Sequence, residues 1–270
     1  MAAQPAGARP ATAASPWPAR RRRAEQLRER HPFAAEVLTL YTALLDVQEP
    51  AFDAARDRPP EPAALPGAVA RDVLPRVIEA TVAAGPPALA DAVIGRFHSA
   101  DLDDLVRRWL HGKEQATVDR YLARAASGPV LEALDGPALA AVCRPRAEAG
   151  CPACGGPPQL AYSPLSDEAL VTGPRHLVCA RCAAEWIHRR MVCAGCGEET
   201  TSRLPVYSEA ELFPHVRIEG CETCRRYLLG IDMRRDAAAV PVVDELAALP
   251  LDLYAKEHGL AKVVPNLMGF

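Results

Sequence analysis

Cys151-Pro-Ala-Cys154, Cys179-Ala-Arg-Cys182, Cys193-Ala-Gly-Cys196 and Cys221-Glu-Thr-Cys224 stand close together in the second half of a 270-residue chain. A shift of 42 positions carries the first pair onto the third and the second onto the fourth. The flanks follow in the same register. Gly155 maps to Gly197, Ser166 to Ser208, Asp167 to Glu209, Leu170 to Leu212 and Arg175 to Arg217, whereas Pro174 meets Val216 and does not match. The stretch is an internal repeat, and its ligand-type residues repeat with it.

Within each repeat 24 residues separate the two pairs, enough for a hairpin or small sheet that folds the second pair back onto the first. Two cysteines three apart wrap a tight turn around one cation, with backbone N–H groups left to hydrogen-bond the thiolates. Gly155 and Gly197, just after the second thiol, permit the backbone conformations such turns need. This predicts two tandem four-cysteine modules of rubredoxin-like or zinc-ribbon type. The duplication pairs Cys151 and Cys154 with Cys179 and Cys182 as site 1, and Cys193 and Cys196 with Cys221 and Cys224 as site 2. An interleaved pairing is the alternative, though it would entangle the repeats. Four thiolates in a tetrahedron suit zinc or a single iron, and spacing does not separate the two. His176, His188 and His215 are expected at the surface or beside the ligands, since four sulfurs already fill each site.

A closed four-cysteine site offers no position for substrate or water, and the chain carries no nucleophile elbow, P-loop or dinucleotide fingerprint. The expectation is therefore a protein that is not an enzyme. A zinc-ribbon nucleic-acid binder is a competing class. From Cys151 to Asp232, however, eight arginines meet ten carboxylates, without the basic footprint that phosphate contact requires. An electron-transfer or redox-sensing role is the other alternative.

Upstream, apolar residues recur with helical spacing from Ala24 to Cys143. Pro32 opens a helix carrying Val37, Leu40, Tyr41 and Leu44 that is expected to end before Pro50, and a proline-rich connector spans Arg58 to Gly67. A second helix runs through Val69 and Ile78 to Gly85, a third through Leu89 and Phe97, and a fourth from an Asp101 or Ser99 cap to Gly112. The periodicity continues through Tyr121 and Leu122 to Gly128-Pro129. Cys143 reads as a small buried thiol at a helix end. After Cys224 helical spacing returns from Val242 to His258, with Pro250 as a break and Gly259 as a stop.

The fold class is thus α+β, a helical N-terminal domain followed by two ribbons and a C-terminal helical segment. The expected divisions are a disordered tail over 1–23, a helical domain over 24–147, ribbon 1 over 148–190, ribbon 2 over 191–232, and a C-terminal helix and tail over 233–270. The tail, rich in Ala, Pro and Arg, lacks a signal-type apolar run after Arg20–Arg23, and these arginines read as solvated. No window reaches the roughly 18 apolar residues of a membrane helix, so no membrane insertion is expected. Nine cysteines without an export signal point to metal in a reducing, cytoplasmic compartment rather than to disulfides.

The chain also resembles the formate dehydrogenase accessory protein (FdhE-like) family over most of its length after the tail. The resemblance rests on His31-Pro32-Phe33 with Gln48-Glu49-Pro50, the four cysteine pairs in order, Cys221-Glu-Thr-Cys224-Arg-Arg-Tyr227-Leu228, Ile231-Asp232-Met233, Val240-Pro241-Val242-Val243-Asp244-Glu245-Leu246-Ala247 and Leu249-Pro250-Leu251-Asp252. It implies rubredoxin-like ribbons holding iron in two mononuclear sites, with the eight paired cysteines as ligands. It further implies a cytoplasmic assembly factor that contacts the catalytic subunit of formate dehydrogenase.

Overall fold

The computed structural model describes residues 15–144, 150–165 and 173–269. The expected boundary between 147 and 148 lies outside these residues, as do the repeat partners Ser166, Asp167 and Leu170.

The first helix, α1 (Trp17–Arg30), begins inside the expected tail. Trp17, Arg20, Arg23, Ala24 and Leu27 recur at helical intervals, and Trp17 is only 1% exposed. Its ring meets Phe52 edge-on at 5.6 Å between centroids. Three of the four arginines read as solvated are instead paired. Arg20 bonds Glu132 at 2.7 Å, Arg21 bonds Glu49 at 3.0 Å, and Arg23 reaches Asp236 at 2.6 Å. A basic run with little apolar content thus conceals a helix whose inward face is completed by ion pairs. Residues 1–14 are outside the described region.

After a 3-10 turn over Pro32–Ala34, α2 (Ala35–Asp57) continues through Pro50 instead of stopping before it. Phe52 and Ala55 beyond the proline are buried, and their burial outweighs the one backbone hydrogen bond the ring removes. The single expected second helix is two, α3 (Leu65–Asp72) and α4 (Leu74–Ala84), because Pro75 occupies the first turn of α4. Next come α5 (Pro87–Ser99) and α6 (Leu102–Leu110), the latter capped where Asp101 accepts the Asp104 N–H at 3.0 Å. Helix α7 (Thr117–Ala133) runs past Gly128-Pro129 with Val130 and Leu131 buried, and α8 (Gly136–Val142) ends at the buried Cys143.

The cysteine region supplies β1 (Pro158–Ser163), β2 (Arg175–Cys179), β3 (Glu185–His188), β4 (Val206–Ser208), β5 (Val216–Cys221) and β6 (Arg226–Asp232). The strand order is β3-β2-β1-β6-β5-β4, antiparallel within each repeat and parallel where β1 meets β6. The two ribbons therefore share one sheet. Helices α9 (Pro241–Ala247) and α10 (Leu249–Glu257) divide at Ala248, with Pro250 in the first turn of α10. A short β7 (Ala261–Lys262) then pairs β6.

Strand alternation sends the two faces of the sheet to different cores. Leu160, Val178, Ile218, Leu229 and Ile231 pack with α1, α2, α9 and α10. Ala161, Leu177, Trp186 and Leu228 join the core of α3–α8, which also contains all four cysteines of the first cluster. The expected α+β class holds. A buried polar chain reinforces the junction. Arg124 on α7 bonds Gln159, Gln159 donates to Glu245 at 2.6 Å, and Lys262 sits between Glu245 at 2.8 Å and Asp252 at 3.0 Å.

Candidate metal centres

Each cysteine pair occupies a turn, and in the second pair of each repeat the first cysteine, Cys179 or Cys221, is the last residue of β2 or β5. Cys151 donates its N–H to the Gly156 carbonyl at 2.8 Å and accepts from Gly155 at 2.7 Å; Cys193 repeats this with Glu198 and Gly197, both at 2.9 Å. The residue after the second cysteine has positive φ in all four turns: Gly155 at 72°, Ala183 at 54°, Gly197 at 78° and Arg225 at 56°. Glycine was anticipated at two of these positions. The other two hold ordinary side chains in a left-handed conformation that costs about 1–2 kcal/mol per residue.

These turns bring the sulfurs together in the sequential grouping. Cys151, Cys154, Cys179 and Cys182 form one cluster and Cys193, Cys196, Cys221 and Cys224 the other, each with its sulfurs within 4.8 Å of one another. Cys151 and Cys182 are 3.8 Å apart and Cys154 and Cys179 3.4 Å; the matching distances in the second cluster are 3.8 and 3.7 Å. A tetrahedron of sulfurs about 2.3 Å from a central ion has edges of about 3.8 Å. The clusters therefore have the dimensions a four-thiolate ion site needs. Backbone N–H groups point at the sulfurs, from Gly156 to Cys154 at 3.3 Å, Arg181 to Cys179 at 3.4 Å and Gly195 to Cys193 at 3.3 Å.

The electrostatics of the first cluster call for a cation. Burial pushes the Cys179 thiol up, so four thiolates coexist there only when a positive ion compensates them. Arg181 adds a second compensation. Its side chain is buried, its Nε and one terminal nitrogen have no hydrogen-bond partner, and its guanidinium lies 5.9 Å from the Trp109 ring centroid. A buried, under-bonded guanidinium beside the sulfurs complements the excess negative charge that four thiolates keep around a divalent ion. Gly156 makes this fit possible, because a Cβ there would come within 2.9 Å of Cys179 Sγ and 3.2 Å of the Arg181 side chain.

Cys143 sits as expected, a small buried thiol at a helix end, but its neighbour Cys154 is one that spacing could not foresee. It is fully buried at the end of α8. The neighbouring Cys154 and burial push the Cys143 thiol up, and Cys143 in turn holds Cys154 well below the usual thiol range. A fifth thiol thus lies beside the first cluster without belonging to it.

None of the three histidines enters a cysteine cluster. His176 stacks on Tyr162 at 5.1 Å between centroids. Desolvation lowers the partly buried His188. His215 is neither on the surface nor beside the sulfurs. It is buried, with Nε2 2.7 Å from Asp244 Oδ1. Asp236 and Asp244 complete a third ligand-like group with it, but Arg23 already fills that place, with Nε 3.0 Å from Asp244.

The second cluster differs in exposure: Cys196 is exposed, Cys193 and Cys224 are half-buried and only Cys221 is buried. It carries a latch of its own. Thr223 donates its hydroxyl to Glu198 Oε2 at 2.5 Å, and Glu198 Oε1 accepts the Thr200 N–H at 2.8 Å. The Thr223 hydroxyl and the backbone N–H of Thr200 hold this carboxyl down at about 2. The latch joins the two turns of site 2. The equivalent positions of the first repeat are Gly156 and Arg181, which cannot form it.

Four sulfurs complete a tetrahedron and leave no vacant ligand position, so either site suits a structural ion or one-electron chemistry better than hydrolysis. Among the described residues no helix is long and apolar enough to cross a membrane.

Comparisons with known proteins agree with this architecture. Residues 191–268 match the family model "FdhE, C-terminal domain". An FdhE homolog from Aquifex aeolicus (strain VF5) is 35% identical over 120 residues, covering 44% of this chain and 41% of that protein. Another from Pseudomonas putida (strain KT2440) is 34% identical over 123 residues, covering 44% and 38%. The matched stretch spans about two fifths of the length of these curated relatives. The crystal structure of the FdhE protein from Pseudomonas aeruginosa superposes with a TM-score of 0.65, at 24% identity, over 93% of this chain and 95% of that one, a likeness of fold. Residues 191–268 are thus similar in sequence to the FdhE C-terminal domain, and nearly the whole chain is similar in fold to the FdhE crystal structure.

Proposed function

We propose that the chain is a cytoplasmic, metal-binding accessory protein for formate dehydrogenase, acting in assembly or activation through contact with the catalytic subunit and performing no catalysis itself. The observation that carries the reading is the pair of closed sulfur tetrahedra joined through one sheet on an FdhE-like fold. Two ions without a vacant ligand position fix the shape of a surface, which is what a partner-recognition module requires.

In this reading Cys151, Cys154, Cys179 and Cys182 hold one ion and Cys193, Cys196, Cys221 and Cys224 the other. The ions are iron, with zinc as the alternative. The proposed organisation keeps ribbon 1 over 148–190, ribbon 2 over 191–232 and the C-terminal segment over 233–270. The helical domain reaches back to Trp17, where α1 begins. Co-purification with the catalytic subunit tests the reading. Intact protein should retain the subunit and a Cys151→Ser, Cys193→Ser double variant should not; equal retention by both would overturn it. Elemental analysis of anaerobically purified protein decides iron against zinc.

The exposure of Cys196 favours one second reading, electron transfer through site 2, since solvent access to a ligand shortens the path to a redox partner. Reversible visible bleaching confined to site 2, lost in Cys196→Ser, would support it. A colourless zinc protein would end it.

A further inference from the structure

On the α3–α8 face of the sheet, the helices cover the first ribbon and leave the second open. There Arg217 and Glu219 of β5 and Arg226 and Leu228 of β6 form a floor, because side chains two apart share a face. The segments Arg190–Gly195 and Leu204–Val206 supply its walls, around a cavity of about 380 Å³. That lies within the range of roughly 300–1,000 Å³ typical of small-molecule sites.

The charge around this cavity is unbalanced. Arg175, Arg190, Arg217, Arg226 and Arg234 line it, and Glu219 is its single acidic lining residue. Glu219 is shared by Arg175 and Arg217, each at 2.7 Å, and Arg234 is held by Asp232 at 2.6 Å. Arg190 bonds the Gly173 carbonyl through one terminal nitrogen. Arg226 makes no ion pair or side-chain hydrogen bond among the described residues. Gly230 keeps the floor low, since a Cβ there would fall 2.5 Å from Glu219 Oε1. The rest of the lining is largely apolar, and Met191 (51%) and Val206 (57%) expose large side chains to solvent.

We propose that this cavity binds a small organic anion, an apolar body carrying a carboxylate, phosphate or sulfonate that is gripped by Arg226 and Arg190. Guanidinium groups match oxyanions in a planar, two-bond geometry, and the apolar lining excludes a bare inorganic ion as the best occupant because it would leave that lining wet. Cys193 and Gly195 belong to one wall, so the site depends on the second sulfur cluster being in place. The inference is independent of any role in dehydrogenase assembly.

The test uses the full metal-loaded chain titrated with 1-anilinonaphthalene-8-sulfonate, an aryl sulfonate, followed by its fluorescence. Its neutral counterpart, N-phenyl-1-naphthylamine, probes the apolar half alone. Saturable one-to-one dye binding is expected, weakened about tenfold or more in Arg226→Glu and in Arg190→Glu, with the neutral probe weaker by a similar factor. Arg71→Glu, on α3, makes the same charge change far from the cavity and should stay within about twofold of wild type. Any of three results overturns the proposal: no saturable binding, equal binding of the neutral probe, or Arg226→Glu and Arg190→Glu both indistinguishable from Arg71→Glu. Faster metal loss in Arg226→Glu with unchanged dye binding would assign the arginines to offsetting the thiolate charge of site 2 instead.

Discussion

The two sulfur clusters arise from one repeated sequence and have nearly the same dimensions, yet they sit in opposite environments. The first is wholly buried in the core of α3–α8, neighboured by Cys143 and faced by Arg181. The second has an exposed ligand, an external Glu198–Thr223 latch and an open cavity along one wall. Duplicated local geometry therefore does not fix function. The surroundings divide the pair into a cluster built into the scaffold and a cluster presented to solvent.

The largest consequence concerns metal exchange. A ligand in solvent can be attacked directly, whereas buried sulfurs must wait for local opening of the core around them. A competing chromogenic chelator should release the two ions in separate phases, the faster by about tenfold or more. Cys196→Ser should abolish the fast phase and spare the slow one. A single phase, or a fast phase lost in Cys154→Ser instead, would break the contrast between the clusters.

The sheet end of the second ribbon is fastened as firmly as its metal end is exposed. Arg23 of α1, 4% exposed, pairs with Asp244 of α9, 1% exposed, and with Asp236, while His215 just before β5 also bonds Asp244. Arg23→Ala would strip the buried Asp244 carboxylate of its guanidinium partner, at a cost of about 3–5 kcal/mol measurable by urea unfolding. The pH dependence has a definite sign. Burial pushes the Asp236 carboxyl up, but Arg23 hydrogen-bonded beside it more than reverses this, so its folded pKa lies below the ordinary value. Its contribution is then complete above the unfolded-state value of about 3.9 and is lost as pH falls through the lower folded value. Stability curves of wild type and Arg23→Ala should converge toward acid; parallel curves would remove Asp236 from the account.

Much of this was legible from spacing alone. The shift of 42 residues gave the repeat, and the structure groups the sulfurs sequentially, as that repeat implied. Pro250 and Gly259 marked real element ends. Other features were hidden because they depend on distant partners. Arg20–Arg23 resembles a solvated run until Glu132, Glu49 and Asp244 are placed beside it. Pro50 and Pro129 looked like helix ends because local propensity carries no knowledge of the burial of Phe52 or Leu131. Cys143 lies outside any C-x-x-C pair, so only the path of α8 reveals its contact with Cys154.

A finer comparison lies in the turns. Gly197 and Ala183 both follow the second cysteine of a turn, at φ of 78° and 54°. Nothing lies within 4 Å of a Cβ built at Gly197, so Gly197→Ala meets no clash and isolates the backbone term, expected at about 1–2 kcal/mol. Thermal unfolding of the metal-loaded protein should resolve that loss. No change would mean that site 2 adjusts its turn freely, which is itself a difference from the buried cluster.

The smallest expected effect belongs to the latch. Thr223→Val keeps the size of the side chain and removes the hydroxyl that joins the two turns of site 2 through Glu198. Because Glu198 is partly open to solvent, water replaces much of that bond, and metal release from site 2 should quicken only a few-fold. Release from site 1, whose repeat has Gly156 and Arg181 at the corresponding positions, should not change. Acceleration at both sites would mean that the clusters communicate through the shared β1–β6 junction, and the division between a scaffold ion and a presented ion would give way to a single coupled unit.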